Sequence, residues 1–176
     1  MKATVTAPGI LLATPLAGEG RMDLAPKWEY VADTVMGGVS TGQIANEQVA
    51  GRAATRLTGQ VSLDNNGGFI QMAADLEQGG VIDASSWSGI EIEVYGNGAV
   101  YEVRLRTDAL TRPWQSFRAT VTAASEWQSL RLQWSVFEAH RTDAGFDPAR
   151  FRRIGVLAIG SQMQADIAVS AIRFYR

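Results

Sequence analysis

The chain has 176 residues, 46% apolar and 19% charged, a globular composition with enough length for one domain and a two-layer core. Lys plus Arg is 16 and Asp plus Glu is 18, so the formal charge of −2 offers no footprint for nucleic acid. With no cysteine and a single histidine, disulfides, thiolate chemistry and zinc centres drop out together.

Residues 1–27 read as a loosely held N-terminal arm. Its one apolar run, Ile10 to Ala13, is soon interrupted by Pro15 and falls short of the roughly 7–15 residues of a signal-peptide core. Nothing in the chain approaches the ~20 apolar residues of a membrane-spanning helix. The expectation is a cytoplasmic protein without an integral membrane segment.

Residues 28–176 read as one domain. Short segments of period-two alternation recur, separated by Gly, Asn, Asp and Ser, at 28–33, 43–45, 53–63, 69–75, 89–95, 100–107, 116–121, 127–134, 153–159 and 166–175. Many short strands with turn chemistry between them predict an all-β sandwich or barrel, with at most a turn of helix near 147–151, where Pro148 can start one. Asn97-Gly98 is the favoured centre of a two-residue type I′ turn. That register sets Val94 against Tyr101, Ile92 against Val103 and Ile90 against Leu105 on one apolar face. On the other face, Glu91 meets Arg104 and Glu93 meets Glu102, a like-charge pair that needs a nearby cation such as Arg104. In 153–159 both faces are apolar, as in a central strand covered on both sides.

Few motifs carry chemistry. Gly38-Val39-Ser40-Thr41-Gly42 matches the G-x-S-x-G nucleophile elbow, but no helix follows it, and the one histidine, His140, sits in a polar stretch that reads as loop. A serine hydrolase is therefore a remote alternative; the plainer reading is a glycine turn in which Ser40 bonds locally. Asp64, Asn65 and Asn66 have oxygens that suit calcium, and equally suit a turn. No phosphate-binding or dinucleotide fingerprint is present, and no cofactor is expected. Of the five tryptophans, Trp134 shares a face with Leu130 and Leu132 and reads as core, whereas Trp114 follows Arg112-Pro113 in a connection and reads as exposed.

Three segments resemble one family when taken together: Asp33-Thr34-Val35-Met36-Gly37-Gly38-Val39-Ser40, then Leu63-Asp64-Asn65-Asn66-Gly67-Gly68-Phe69, then 89–106 with its Gly96-x-Gly98-x-x-Tyr101 core. Trp114-Gln115, Trp127-Gln128, Phe137 and 151–155 fit the same series. The chain is similar over about 28–176 to the complex I intermediate-associated protein 30 family. The resemblance implies a galactose-binding-like jelly roll of two antiparallel sheets without catalytic residues. It also implies a role like that of the chaperones that help assemble respiratory NADH:ubiquinone oxidoreductase. The expected function is thus a non-catalytic module for a protein partner that the sequence does not identify, with a carbohydrate-binding module as the alternative.

The expected working surface joins the two glycine turns, 35–40 and 65–69, which expose backbone groups to a ligand. It comprises Asp33, Met36, Gly37, Gly38, Ser40, Asn65, Asn66 and Phe69. The charged strand face with Glu91, Glu93, Glu102, Arg104 and Arg106 is expected to continue it, and Trp114 and Gln115 to form its rim.

Overall fold

The computed structural model describes residues 20–176 of the chain. Every strand pairing in it is antiparallel, and the strands form two six-stranded sheets. The first sheet runs β3 (Thr41–Val49), β4 (Arg52–Val61), β12 (Met163–Tyr175), β6 (Gly89–Tyr95), β9 (Gln128–Gln133), with β1 (Arg21–Leu24) also on β12. The second runs β10 (Glu138–His140), β8 (Ser116–Thr122), β7 (Val100–Thr107), β11 (Phe151–Ile159), β5 (Phe69–Asp75), β2 (Glu29–Ala32). Pro148–Arg150 make the one short helical turn expected near there, with Asp147 capping Ala149 N–H at 3.0 Å.

Alternation decides what lies between the sheets. Ile90, Ile92 and Val94 of β6 and Ile167 and Phe174 of β12 are buried in the core cluster with Tyr101, Val103 and Leu105 of β7 and Ile154 and Val156 of β11. Each such side chain contributes about 1.5–3 kcal/mol through removal from water. Trp134 belongs to this core: its ring packs on Phe146, Phe151 and Phe174, and its indole N–H donates to the Trp87 carbonyl at 2.7 Å.

Four expectations need correction. First, β6 and β7 do not pair; they lie in opposite sheets and meet face to face across the core. Gly98 has φ 83°, but Asn97 is not left-handed, so the type I′ turn does not form. The segment is tied elsewhere: Gly96 and Gly98 N–H donate to the carbonyls of Ala124 and Ala123, and the Asn97 carboxamide donates to Gln164 and accepts from the Tyr101 hydroxyl. A two-residue turn with both residues left-handed does occur at Ala50-Gly51 (φ 44° and 83°), where it joins β3 to β4. Second, Glu93 and Glu102 are therefore on different sheets. Glu93 bonds Arg173 at 2.9 Å, and Glu102 bonds Arg104 at 2.7 Å. Third, Arg21–Leu24, assigned to the arm, form β1 and pair with β12, so the ordered domain begins before Trp28; residues 1–19 of the arm lie outside the described residues. Fourth, Glu138–His140, read as loop, add a short edge strand to β8.

β11 is central, as its sequence implies, between β7 and β5. Its outer-face Leu157 is buried although it stands outside the inter-sheet core cluster.

Candidate functional site

The chain leaves β2 at Ala32 and makes a tight 3-10 turn, Asp33–Met36, closed by left-handed Gly37. A second turn, Asp64–Asn66, lies between β4 and β5, with Asn65 and Asn66 both at φ 57°. Asp33 ties the two together. Its buried carboxylate accepts from Ser40 Oγ at 2.5 Å, Gly68 N–H at 2.7 Å, Ser40 N–H at 3.0 Å and Phe69 N–H at 3.4 Å. Burial pushes this carboxyl up, but the Ser40 hydroxyl and the three backbone donors outweigh it and hold it below the usual carboxylate range. Gly38 and Gly67 are required for the lock, since a Cβ at either would overlap the Asp33 carboxylate.

Ser40 is buried beside it. Its hydroxyl donates to Asp33 and accepts from Ser62 N–H at 2.9 Å. The serine of the G-x-S-x-G motif is thus bonded directly to a carboxylate, with no histidine between them. His140 stands on β10, at an edge of the other sheet. The hydroxyl is a tie between two turns: its partners are the Asp33 carboxylate and the Ser62 backbone, 22 residues on, and not the local backbone expected of a glycine turn.

This lock presents an apolar knuckle. Val35 is 72% exposed, Met36 64%, Val39 46% and Leu63 48%. Val39 and Leu63 flank the Ser40–Ser62 bond, so the two turns share one surface. Among the expected site residues, Met36, Gly37, Asn65 and Asn66 are exposed here and Phe69 is half-buried; Asp33, Gly38 and Ser40 are buried and act through the residues they hold. Val35, Val39 and Leu63 are further candidates, exposed beside these residues, that period-two reading passes over. Their signal was present: apolar side chains inside glycine-rich turns have no strand face to hide on.

The rest of the expected surface lies elsewhere. Glu91 and Glu93 are on the first sheet, where Glu91 is buried against Arg131 at 2.7 Å and Arg173 at 2.8 Å. Burial raises the Glu91 carboxyl, and these two guanidinium bonds together with the Arg21 charge bring it below its ordinary value. Arg104 and Arg106 are on β7. Arg106, opposite Arg153 and hence level with Asp75, sits at the end of the second sheet away from Phe69. At about 3.4 Å per residue, six residues of β5 separate these ends by roughly 20 Å. Trp114 and Gln115 belong to that far end, because Arg106 Nη1 donates to the carbonyls of Arg112, Pro113 and Gln115, each at 2.9 Å. The single contiguous patch is therefore divided among three places: the two turns, β6 of the first sheet, and β7 with the loop 110–115 of the second. Asp64, Asn65 and Asn66 form turn structure, and among the described residues no group of three His, Cys, Asp or Glu gathers to hold a metal ion.

Two antiparallel sheets wound as a jelly roll define a β-sandwich of galactose-binding-like fold. The chain belongs to the complex I intermediate-associated protein 30 family, whose model matches residues 20–168. Its fold is similar to the family 11 carbohydrate-binding module of the cellulosomal cellulase Lic26A-Cel5E of Clostridium thermocellum, with TM-score 0.66, 13% identity, and coverage of 89% of this chain and 94% of that one. It is also similar to a family 30 carbohydrate-binding module, with TM-score 0.63, 15% identity, and coverage of 88% and 87%. At these identities the likeness is one of fold. No curated protein matches the sequence. Among the described residues no helix is long and apolar enough to cross a membrane.

Proposed function

We propose that this protein is a non-catalytic docking module of the assembly-factor kind, which holds an apolar segment of a respiratory-complex subunit on the knuckle formed by its two glycine turns. The observation that carries the reading is the exposure of Val35, Met36, Val39 and Leu63 on backbone fixed by the buried Asp33 carboxylate. Apolar side chains held rigidly in water lose little conformational entropy on docking, so more of the burial energy appears as affinity. Membership in the complex I intermediate-associated protein 30 family supports a partner of this class.

The test is co-purification from the native host with quantitative mass spectrometry, comparing the wild type with a Val35→Asp/Met36→Asp double variant. Both side chains face water, so the variant should melt within a few degrees of the wild type. Subunits of NADH:ubiquinone oxidoreductase should be enriched with the wild type and fall at least tenfold with the variant, about 1.4 kcal/mol. Equal recovery with both proteins removes the knuckle from the reading, and enrichment of unrelated proteins alone removes the partner class.

A further inference from the structure

We infer a second binding site, for an acidic sugar of the hexuronate class, on the loop 110–115 and the β8–β10 edge beside it. It lies at the end of the second sheet opposite the knuckle and does not rest on the docking reading.

The first observation is a census of arginines. Nine of them, at 21, 52, 56, 104, 118, 131, 150, 153 and 173, form ion pairs with carboxylates. Arg176 has a partner as well. Arg106, Arg112, Arg141 and Arg152 form no such ion pair among the described residues, Asp75 and Asp108 acting on Arg106 and Arg152 only through their charge, and all four gather at this loop. Arg106 pins the loop from below through three of its carbonyls. Arg152 lies close enough to Arg106 to help burial lower the Arg106 pKa, and its own Nε is buried without a hydrogen-bond partner. The Arg112 guanidinium lies 5.9 Å from the Trp114 ring centroid, and the Arg141 carbonyl accepts from Gln115 Nε2 at 3.2 Å.

The second observation is an unused donor. The Ser116 hydroxyl, next in the chain, is buried and bonded to nothing. Opposite it on β10 stands His140, whose pKa is lowered by burial and by the charges of Arg118, Arg104 and Arg141. At His140 the three arginine charges outweigh that of Glu102. Nearby carboxylates are engaged, Glu102 by Arg104 and Arg118, Asp75 and Glu29 by Arg153, and Asp108 by Arg150. Glu138 and Asp143 are exposed at the rim.

Charge alone would select any anion; Trp114 narrows the class. Its indole is 53% exposed, on a loop that Arg106 and Gln115 hold in place. A flat indole stacks on the C–H face of a pyranose ring. A guanidinium fork matches a planar carboxylate with two parallel bonds. A hexuronate unit carries both groups on one ring, whereas an acidic peptide has no use for the platform.

The experiment is titration calorimetry at low salt with oligogalacturonate and oligoalginate, with a neutral cello-oligosaccharide and poly-glutamate as comparators. The proposal expects at least one oligouronate to bind, with affinity falling as salt rises, and the neutral sugar not to bind. Trp114→Ala and an Arg112→Ala/Arg141→Ala variant should each weaken binding tenfold or more at unchanged melting temperature, while Val35→Asp/Met36→Asp binds as the wild type does. Binding of neither oligouronate overturns the site, and undiminished binding by Trp114→Ala overturns the sugar reading. Poly-glutamate binding that needs the arginines but not Trp114 replaces the sugar with an acidic peptide.

Discussion

Replacing Asp33 with alanine removes the acceptor that joins the two turns, and the loss can be worked from its bonds. The Ser40 and Gly68 N–H groups, at 3.0 and 2.7 Å, become buried donors with no partner. Each costs about 1–3 kcal/mol. The Ser40 hydroxyl can turn to the Ser62 carbonyl at 3.2 Å, and the Phe69 bond is long, so neither adds much. Relief of the buried charge offsets part of the sum, leaving a loss of about 2–4 kcal/mol. For a chain of this size that is a fall of roughly 4–16 °C in melting temperature. Asp33→Asn keeps the shape and one oxygen and should lie between the two. Its pH dependence is diagnostic. The folded pKa of Asp33 is depressed, so its contribution is fully present above the unfolded value of about 3.9 and is lost as pH falls through the folded value. The gap between wild type and Asp33→Asn, measured by urea unfolding, should therefore narrow towards acid. A melting temperature within 2 °C of wild type for Asp33→Ala, or a gap that widens as pH falls, would refute the lock.

Two further outcomes follow from other buried polar groups. Arg173→Met should destabilise by about 3 kcal/mol, because it strips one of the two close guanidiniums from buried Glu91 and the nearer of the two from Glu93, which keeps Arg52 at 3.4 Å; the Glu91 pKa, followed by carbon-detected NMR, should rise. Tyr101→Phe should cost about 1–2 kcal/mol in urea unfolding, since it removes the hydroxyl that accepts from Asp166 N–H at 2.9 Å and donates to Asn97 at 2.7 Å.

Alternation in the sequence is a local signal, and it served for local questions. The strands at 69–75, 89–95 and 100–107 have the bounds their patterns imply, and Ile90, Ile92, Val94, Tyr101, Val103 and Leu105 all face inward. Periodicity says which face is buried but not which sheet a strand joins. The same six residues satisfy a hairpin and a face-to-face crossing equally well, and the deciding bonds go from residues 96–98 to residues 123, 124 and 164. β1 and β10 were missed because strands of four and three residues have too few alternations to show a period. In the candidate site, the glycine turns stood out as segments. Their junction did not, since the Asp33–Gly68 bond spans 35 residues. The clustering of arginines without an ion pair at the loop 110–115 is likewise a property of three-dimensional pairing that no count of charges contains.

β12 sets a condition on how this protein can be made. It hydrogen-bonds β4 through 163–169, β1 through 172–175 and β6 along its other edge, so the first sheet has no centre without it. During synthesis the edges of β4 and β6 that β12 covers must wait unpaired until residues 163–175 have left the ribosome. Contacts such as Arg56–Asp166, 110 residues apart, and Asp23–Arg173, 150 apart, place closure late and make folding slow. A nascent chain stalled before residue 163 would display those open edges to its neighbours, where strands pair between molecules as readily as within one.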